Sequence, residues 1–231
     1  MRGWGLVIGL LAAVTLLGLA LNAAPTGIIV VAAMGATGYG AYRFNVRKRA
    51  VTENVEAQSL GFQSAEADTF GLAGLPLELL NRGTEPRWVD HVLWGSWRAE
   101  DVKLFDFRYT SVEDGDRRFT CALIALDHDV PPVVIEPKMF FTPHAERGHL
   151  SVVETEDRAF NEAFDVRTKD PGFAARLLDA DTRQWMDGLN DVAFEVNGRM
   201  LLAYMPQDRR DPFALLEAGA EFERRLPVLP S

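Results

Sequence analysis

The sequence predicts an α+β protein: a two-helix transmembrane hairpin followed by a soluble domain with an antiparallel sheet and C-terminal helices. Three observations carry this. Two uncharged apolar segments, Trp4–Leu21 and Gly27–Tyr42, stand at the start of the chain. Alternating apolar and polar residues with hairpin-length breaks recur after Trp88. Aspartate-proline pairs at Asp170-Pro171 and Asp211-Pro212 announce helices near the end. The expected organisation is a transmembrane hairpin over 1–44, a juxtamembrane helix or linker over 45–68, and a cytoplasmic α+β domain over 69–231.

A membrane-spanning helix needs roughly 17–25 apolar residues, so the first segment qualifies and the second sits at the short end. Pro25 suits the intervening turn, because proline has no N–H to donate and biases Ala24 away from helical geometry. Arg2 precedes the hairpin and Arg43, Arg47, Lys48 and Arg49 follow it, whereas the loop Asn22–Thr26 carries no basic residue. Basic flanks favour the inner side, which places both termini and the soluble domain in the cytoplasm, at the inner membrane. Small residues recur every fourth position (Gly5, Gly9, Ala13; Ala32, Ala36, Gly40), a spacing that lets helix backbones approach. A cleaved signal peptide is the rival reading for the first segment, but Ala20–Ala24 makes a poor small-x-small cleavage site.

All 33 acidic residues lie after position 50, where 19 basic residues accompany them, for a net charge of −14. Such a surface repels phosphates and excludes nucleic acid as a partner. Cys121 is the only cysteine, so no intrachain disulfide forms, in keeping with a reducing compartment.

Beyond the hinge, Arg43–Ala67 is expected to continue helically until Gly61 interrupts it. The Gly- and Pro-punctuated stretch Phe70–Gly83 reads as a packed connector. Strands are expected at His91–Arg98 and Val102–Thr110, with Phe105, Phe107 and Tyr109 on one face. The turn Glu113-Asp114-Gly115-Asp116 leads into Arg118–Leu126, apolar on both faces and therefore central. Short strands are expected at Val133–Glu136 and Leu150–Glu154. Phe160 and Phe164 suggest a helical turn. Asp170 and Asp211 cap helices whose first positions are prolines. Asp181 is a candidate cap for a segment containing Trp185, Met186 and Leu189. Asn197-Gly198 is the strongest two-residue hairpin signal, joining Val192–Val196 to Arg199–Met205. Phe213, Leu216 and Ala220 line the last helix, with Phe222 off that stripe.

No phosphate loop, nucleophile elbow, zinc pattern or dinucleotide fingerprint occurs. His144, Glu146 and His149 offer metal-ligand chemistry, but lack helical i, i+4 spacing between the histidines and read better as a solvated loop. Asp127-His128-Asp129 could orient a general base, yet precedes Pro131-Pro132, where turn-forming aspartates suffice to explain it. Cys121 sits among strand residues and reads as core. Trp88, Trp94 and Trp97 gather around Gly95-Ser96 and read as core, with a docking surface as the alternative. No catalytic, cofactor-binding or metal-binding residue is therefore assigned, and no cofactor is expected.

The chain resembles a broad group of uncharacterised bacterial membrane proteins. The likeness rests on the hydrophobic hairpin, Ala57-Gln-Ser-Leu-Gly61-Phe62, and Trp94-Gly95-Ser96-Trp97 followed by Leu104–Tyr109. It continues through Phe160-Asn161-x-x-Phe164-x-Val166 and the final helix ending near Arg225-Leu226-Pro227. It implies anchoring and no particular activity. The expected function is a membrane-anchored cytoplasmic interaction or regulatory module without catalysis, with the lipid bilayer and a protein as partners. The alternatives are a tethered hydrolase using His128 or the His144/His149 loop, and a sensor of small ligands or lipid headgroups.

Overall fold

The computed structural model describes residues 57–227, apart from 112, 114, 141, 190 and 208–210. Seven strands dominate it: β1 (Gln63–Ala67), β2 (Thr84–Trp97), β3 (Glu100–Ser111), β4 (Gly115–Pro137), β5 (Ser151–Val153), β6 (Phe164–Thr168) and β7 (Ala193–Pro206). Four short helices accompany them: α1 (Arg158–Ala163), α2 (Pro171–Leu177), α3 (Ala180–Asp187) and α4 (Pro212–Arg224). All the strands join one antiparallel sheet.

This corrects the expected fold class. The described residues are mainly antiparallel sheet with few helices, and no helix among them is long and apolar enough to cross a membrane. The transmembrane hairpin over 1–44 lies outside the described residues. The two-span placement in the inner membrane, with both termini and the domain in the cytoplasm, therefore loses its structural basis.

The spine of the sheet is the β4–β7 pair. β4 runs for 23 residues. One edge pairs with β7 from Phe119 to Ile135, while the other pairs first with β3 and then with β6. Both edges of β4 are thus occupied, which fits a strand apolar on both faces. The sequence reading broke this spine in two places, and both breaks are absent. Asp127-His128-Asp129 and Pro131-Pro132 lie within β4, and Asn197-Gly198 lies within β7 rather than joining two strands. The register shifts between Ala125 and Val133 mark an irregularity at this point of the ladder. Gly198, opposite Val130, supplies the positive φ of +60°. An Asn-Gly pair serves a bulge as readily as a hairpin, because both need that conformation. Arg199 then donates to the Leu126 and Asp127 carbonyls at 3.2 and 2.8 Å, satisfying acceptors at the irregularity.

The β2–β3 turn is tighter than expected. Arg98 and Ala99, with φ of 52° and 75°, make a two-residue connection, the backbone shape of a primed hairpin turn. Gln63–Ala67, past the interruption at Gly61 and within the stretch expected as juxtamembrane helix or linker, is an edge strand paired with β2. The expected helix starts at Asp170 and Asp211 are present. Asp170 accepts from Phe173 N at 2.8 Å and Asp211 from Phe213 N at 2.9 Å. The cap of α3 is Asp179, accepting from Thr182 N at 2.8 Å, not Asp181, which lies in the first turn.

Alternation along the strands divides the interior into two cores. The helices cover one face, where Ala122, Ile124, Phe194 and Ala203 meet Phe173, Leu177, Met186 and Leu216. Phe222, expected off the stripe, is fully buried here, its ring stacked on Phe194 at 4.3 Å. Burying such a ring is worth roughly 1.5–3 kcal/mol, and stacking adds about 0.5–1.5 kcal/mol. On the other face Phe105, Phe107, Tyr109, Phe119 and Tyr204 meet Leu72, Leu77, Leu79 and Leu80 from a strap, Asp68–Gly83. Asp68 organises the start of this strap by accepting from Leu72 N and Ala73 N at 2.9 and 3.0 Å. Asn81 ties its middle, donating to the Leu75 and Leu77 carbonyls at 2.9 and 2.7 Å.

Candidate functional site

Beneath the strap the sheet carries charge where an apolar core would be expected. Asp165 and Arg167 share one face of β6, because side chains two apart on a strand point the same way. Glu136 lies across from Asp165, and Glu195 of β7 lies across Val134 from Arg167. The strap adds Glu78 and Arg82 from a 3-10 turn, Leu79–Asn81. Arg82, Glu136, Asp165, Arg167 and Glu195 are all buried.

Two guanidiniums knit the carboxylates together. Arg82 donates through Nη1 to Glu136 Oε1 at 2.7 Å and through Nη2 to Glu78 Oε1 at 2.8 Å. Arg167 donates through Nη2 to the same Glu78 oxygen at 2.6 Å and to Glu136 Oε2 at 3.3 Å, and through Nη1 to Asp165 Oδ2 at 2.5 Å. The hydroxyls of Thr142 and Tyr204 donate to Glu136 at 2.9 and 3.2 Å. Half-buried Arg147 reaches Asp165 from the rim at 3.4 Å.

Burial alone would drive the Glu136 carboxyl up, but Arg82 and Arg167, with the Thr142 hydroxyl, outweigh it and hold it at about 2. Burial likewise opposes the Arg82 charge, and Glu136 leads the groups that reverse this and keep it firmly protonated. Desolvation followed by the Glu136 charge raises the Tyr204 phenol well above its usual range. Glu195 differs. Among the described residues no guanidinium bonds to it; its oxygens accept from the backbone amides of Glu78 and, at 3.1 Å, Leu79. Desolvation exceeds the help of those amides, and the Glu195 carboxyl is pushed up to about 7.

The residues singled out from sequence lie elsewhere. His144 and His149 are exposed, while Glu146 between them is buried and accepts from Tyr109 Oη at 3.1 Å. No group of three or more potential metal ligands occurs among the described residues. His128 is exposed and bonded only to its neighbour Asp127 among the bonds described for it. Cys121 is fully buried between Phe105 and Tyr204, and burial pushes its thiol well up. The three tryptophans are half-buried and serve separate contacts: Trp88 under the Arg108 guanidinium at 4.5 Å, Trp94 against Phe70 at 5.1 Å, Trp97 against Phe213 at 6.0 Å. The sequence reading missed the charge cluster. Its signal was available in single charges inside apolar runs: Glu136 after Val133-Val134-Ile135, Arg167 after Val166, and Glu195 between Phe194 and Val196.

Two cavities of about 390 Å³ each lie away from this cluster. Leu189, Val192, Met205 and Leu215 line one; Trp97, Glu100, Val102, Ile124 and Glu223 line the other. Neither is lined by a histidine.

The fold and site define an antiparallel-sheet domain covered on both faces, with a closed ionic cluster under one cover. No protein-family model matches the sequence, and no curated protein matches it significantly. Among solved structures the chain is similar in fold to the mycobacterial trehalose monomycolate transport factor A, TtfA. The TM-score is 0.58 at 16% identity, covering 79% of this chain and 98% of that one.

Proposed function

We propose that this domain is a non-catalytic interaction module, an accessory factor that works by binding a protein partner. The observation that supports this most is the fate of its buried ionisable groups. Arg82, Arg167, Glu78, Glu136 and Asp165 spend their charges on one another, where a catalytic constellation would present them to a cavity. The histidines that a hydrolase would use, His128, His144 and His149, sit on the exposed surface, and none of them lines either cavity. The likeness in fold to a mycobacterial transport factor supports a role in transport, and the acidic excess opposes a nucleic-acid partner.

Site-specific photo-crosslinking in the producing cell tests this reading. A photoreactive residue would replace Leu60, Phe70, Met139 or Val152, the large apolar side chains exposed among the described residues. One protein captured from some of these positions and not others is the expected result. Capture from none of them, together with substrate turnover by the purified chain that His128→Ala, His144→Ala or His149→Ala abolishes, would overturn it.

A further inference from the structure

We propose that the cavity between the end of the β2–β3 hairpin and α4 is a binding site for a primary alkylammonium group, the chemistry shared by a lysine side chain and a free alkylamine. The cavity measures about 390 Å³, within the range of small-ligand sites. Its floor is the cross-strand pair Val102 and Ile124, both buried. α4 approaches that floor closely at Gly219, where a Cβ would meet Ile124 Cδ1 at 2.7 Å. Ala220, the next residue, lines the space beside it with a single methyl, so the cavity stays open. Trp97 supplies an aromatic wall, half-buried against Phe213 at 6.0 Å. Its indole N–H is buried and meets no acceptor among the described residues, so this wall keeps an unsatisfied group.

Charge selects the head of the ligand. Four charged side chains line the cavity, two of each sign, but only the cations are already matched. Arg98 donates to Glu217 at 2.5 Å and Arg224 donates to Glu221, both acceptors outside the lining. Glu100, at the start of β3, and Glu223, three residues along α4 from Ala220, are half-buried. Neither side chain has a hydrogen bond or ion pair among the described residues. The two are neighbours: burial, and then the charges of Glu100 and Asp127, push the Glu223 carboxyl up, with His128 opposing. Two carboxylates brought together from separate elements suit a compact head with three donors, which can bridge them. A guanidinium instead presents a planar fork matched to a single carboxylate. The apolar floor takes the alkyl stem, and an indole ring attracts a cation held against its face. The acidic excess after position 50 draws cations towards this surface.

Titration of the full-length chain with n-butylammonium, read on the indole ¹⁵N–¹H signal of Trp97, tests the site. Trp97→Phe identifies that signal among those of the five tryptophans. A saturable shift in the millimolar range is expected, while n-butanol, the same stem without charge, produces none at the same concentrations. Glu100→Gln and Glu223→Gln should each weaken binding about tenfold, since each removes one of two charged acceptors. A parallel titration with Nα-acetyl-lysine methylamide distinguishes the sources. Binding as tight as that of n-butylammonium supports the site as one for a lysine side chain of a protein partner; binding of n-butylammonium alone supports it as one for a free amine. No saturable shift with either amine, equal binding of n-butanol, or unchanged affinity in both variants would overturn the proposal. Should neither variant fold, the n-butanol comparison in the unaltered chain decides alone.

Discussion

Arg167 and Glu78 stand 89 positions apart in the chain, and Arg167 Nη2 donates to Glu78 Oε1 at 2.6 Å. The pair joins the strap to β6, and the same Glu78 oxygen also receives Arg82 at 2.8 Å. Each guanidinium therefore bridges the connector to the sheet. A buried ion pair contributes little net stability compared with an apolar pair of equal volume, but removing one partner leaves an uncompensated buried charge.

Arg167→Met should accordingly destabilise the domain by about 3–5 kcal/mol, since Glu78, Asp165 and Glu136 all lose a donor. Urea unfolding followed by tryptophan fluorescence measures this. A loss under about 1 kcal/mol would mean that the cluster is far better solvated than its burial indicates.

Gly83 ends the strap with φ of +68°, and a Cβ there would meet Tyr109 Cδ2 at 2.3 Å and the Thr110 carbonyl at 2.6 Å. Gly83→Ala combines the left-handed penalty, roughly 1–2 kcal/mol, with a clash against backbone that cannot yield. A drop in melting temperature of the full chain is expected. Gly115→Ala is the comparison: its φ is +74° but no atom lies within 4 Å of the added carbon, so it should cost only the backbone penalty.

Cys121 lies fully buried, with its thiol raised by desolvation. Thiol reagents should leave it unmodified in the native chain and label it fully in denaturant. Rapid native labelling would contradict the two-core packing, since Cys121 belongs to the core beneath the strap.

Local signals were legible where local chemistry decides the structure. Asp170-Pro171 and Asp211-Pro212 start helices because a carboxylate next to a proline satisfies free amides irrespective of tertiary context. The strand alternation at Phe105, Phe107 and Tyr109 was readable for a similar reason, since one buried face imposes it. Signals with two uses misled. Asn197-Gly198 supplies positive φ to a bulge as well as to a hairpin, and only the long-range pairing with Val130 selects the bulge. The charge cluster was harder still. It assembles Glu78, Arg82, Glu136, Asp165, Arg167 and Glu195 from four separate elements, so no spacing in the sequence brings them together. A charge inside an apolar run is the one local trace that such a cluster leaves, and it does not name its partner.

Acid should unfold this domain through Glu136. Its carboxyl is held at about 2 against an ordinary value of 4.5, because Arg82 and Arg167 favour the ionised form more than burial disfavours it. The folded state thus keeps Glu136 ionised over a range in which the unfolded chain protonates it. The stability involved is fully present above the ordinary carboxylate range and is lost as pH falls from about 4.5 towards 2. It amounts to about 3 kcal/mol, at 1.4 kcal/mol per pH unit. Glu136→Gln removes the titrating group, and the variant should be less stable near neutrality while losing less on acidification. Denaturation midpoints measured from pH 7 down to pH 3 for both proteins should converge. Parallel curves would show that Glu136 does not carry the acid sensitivity.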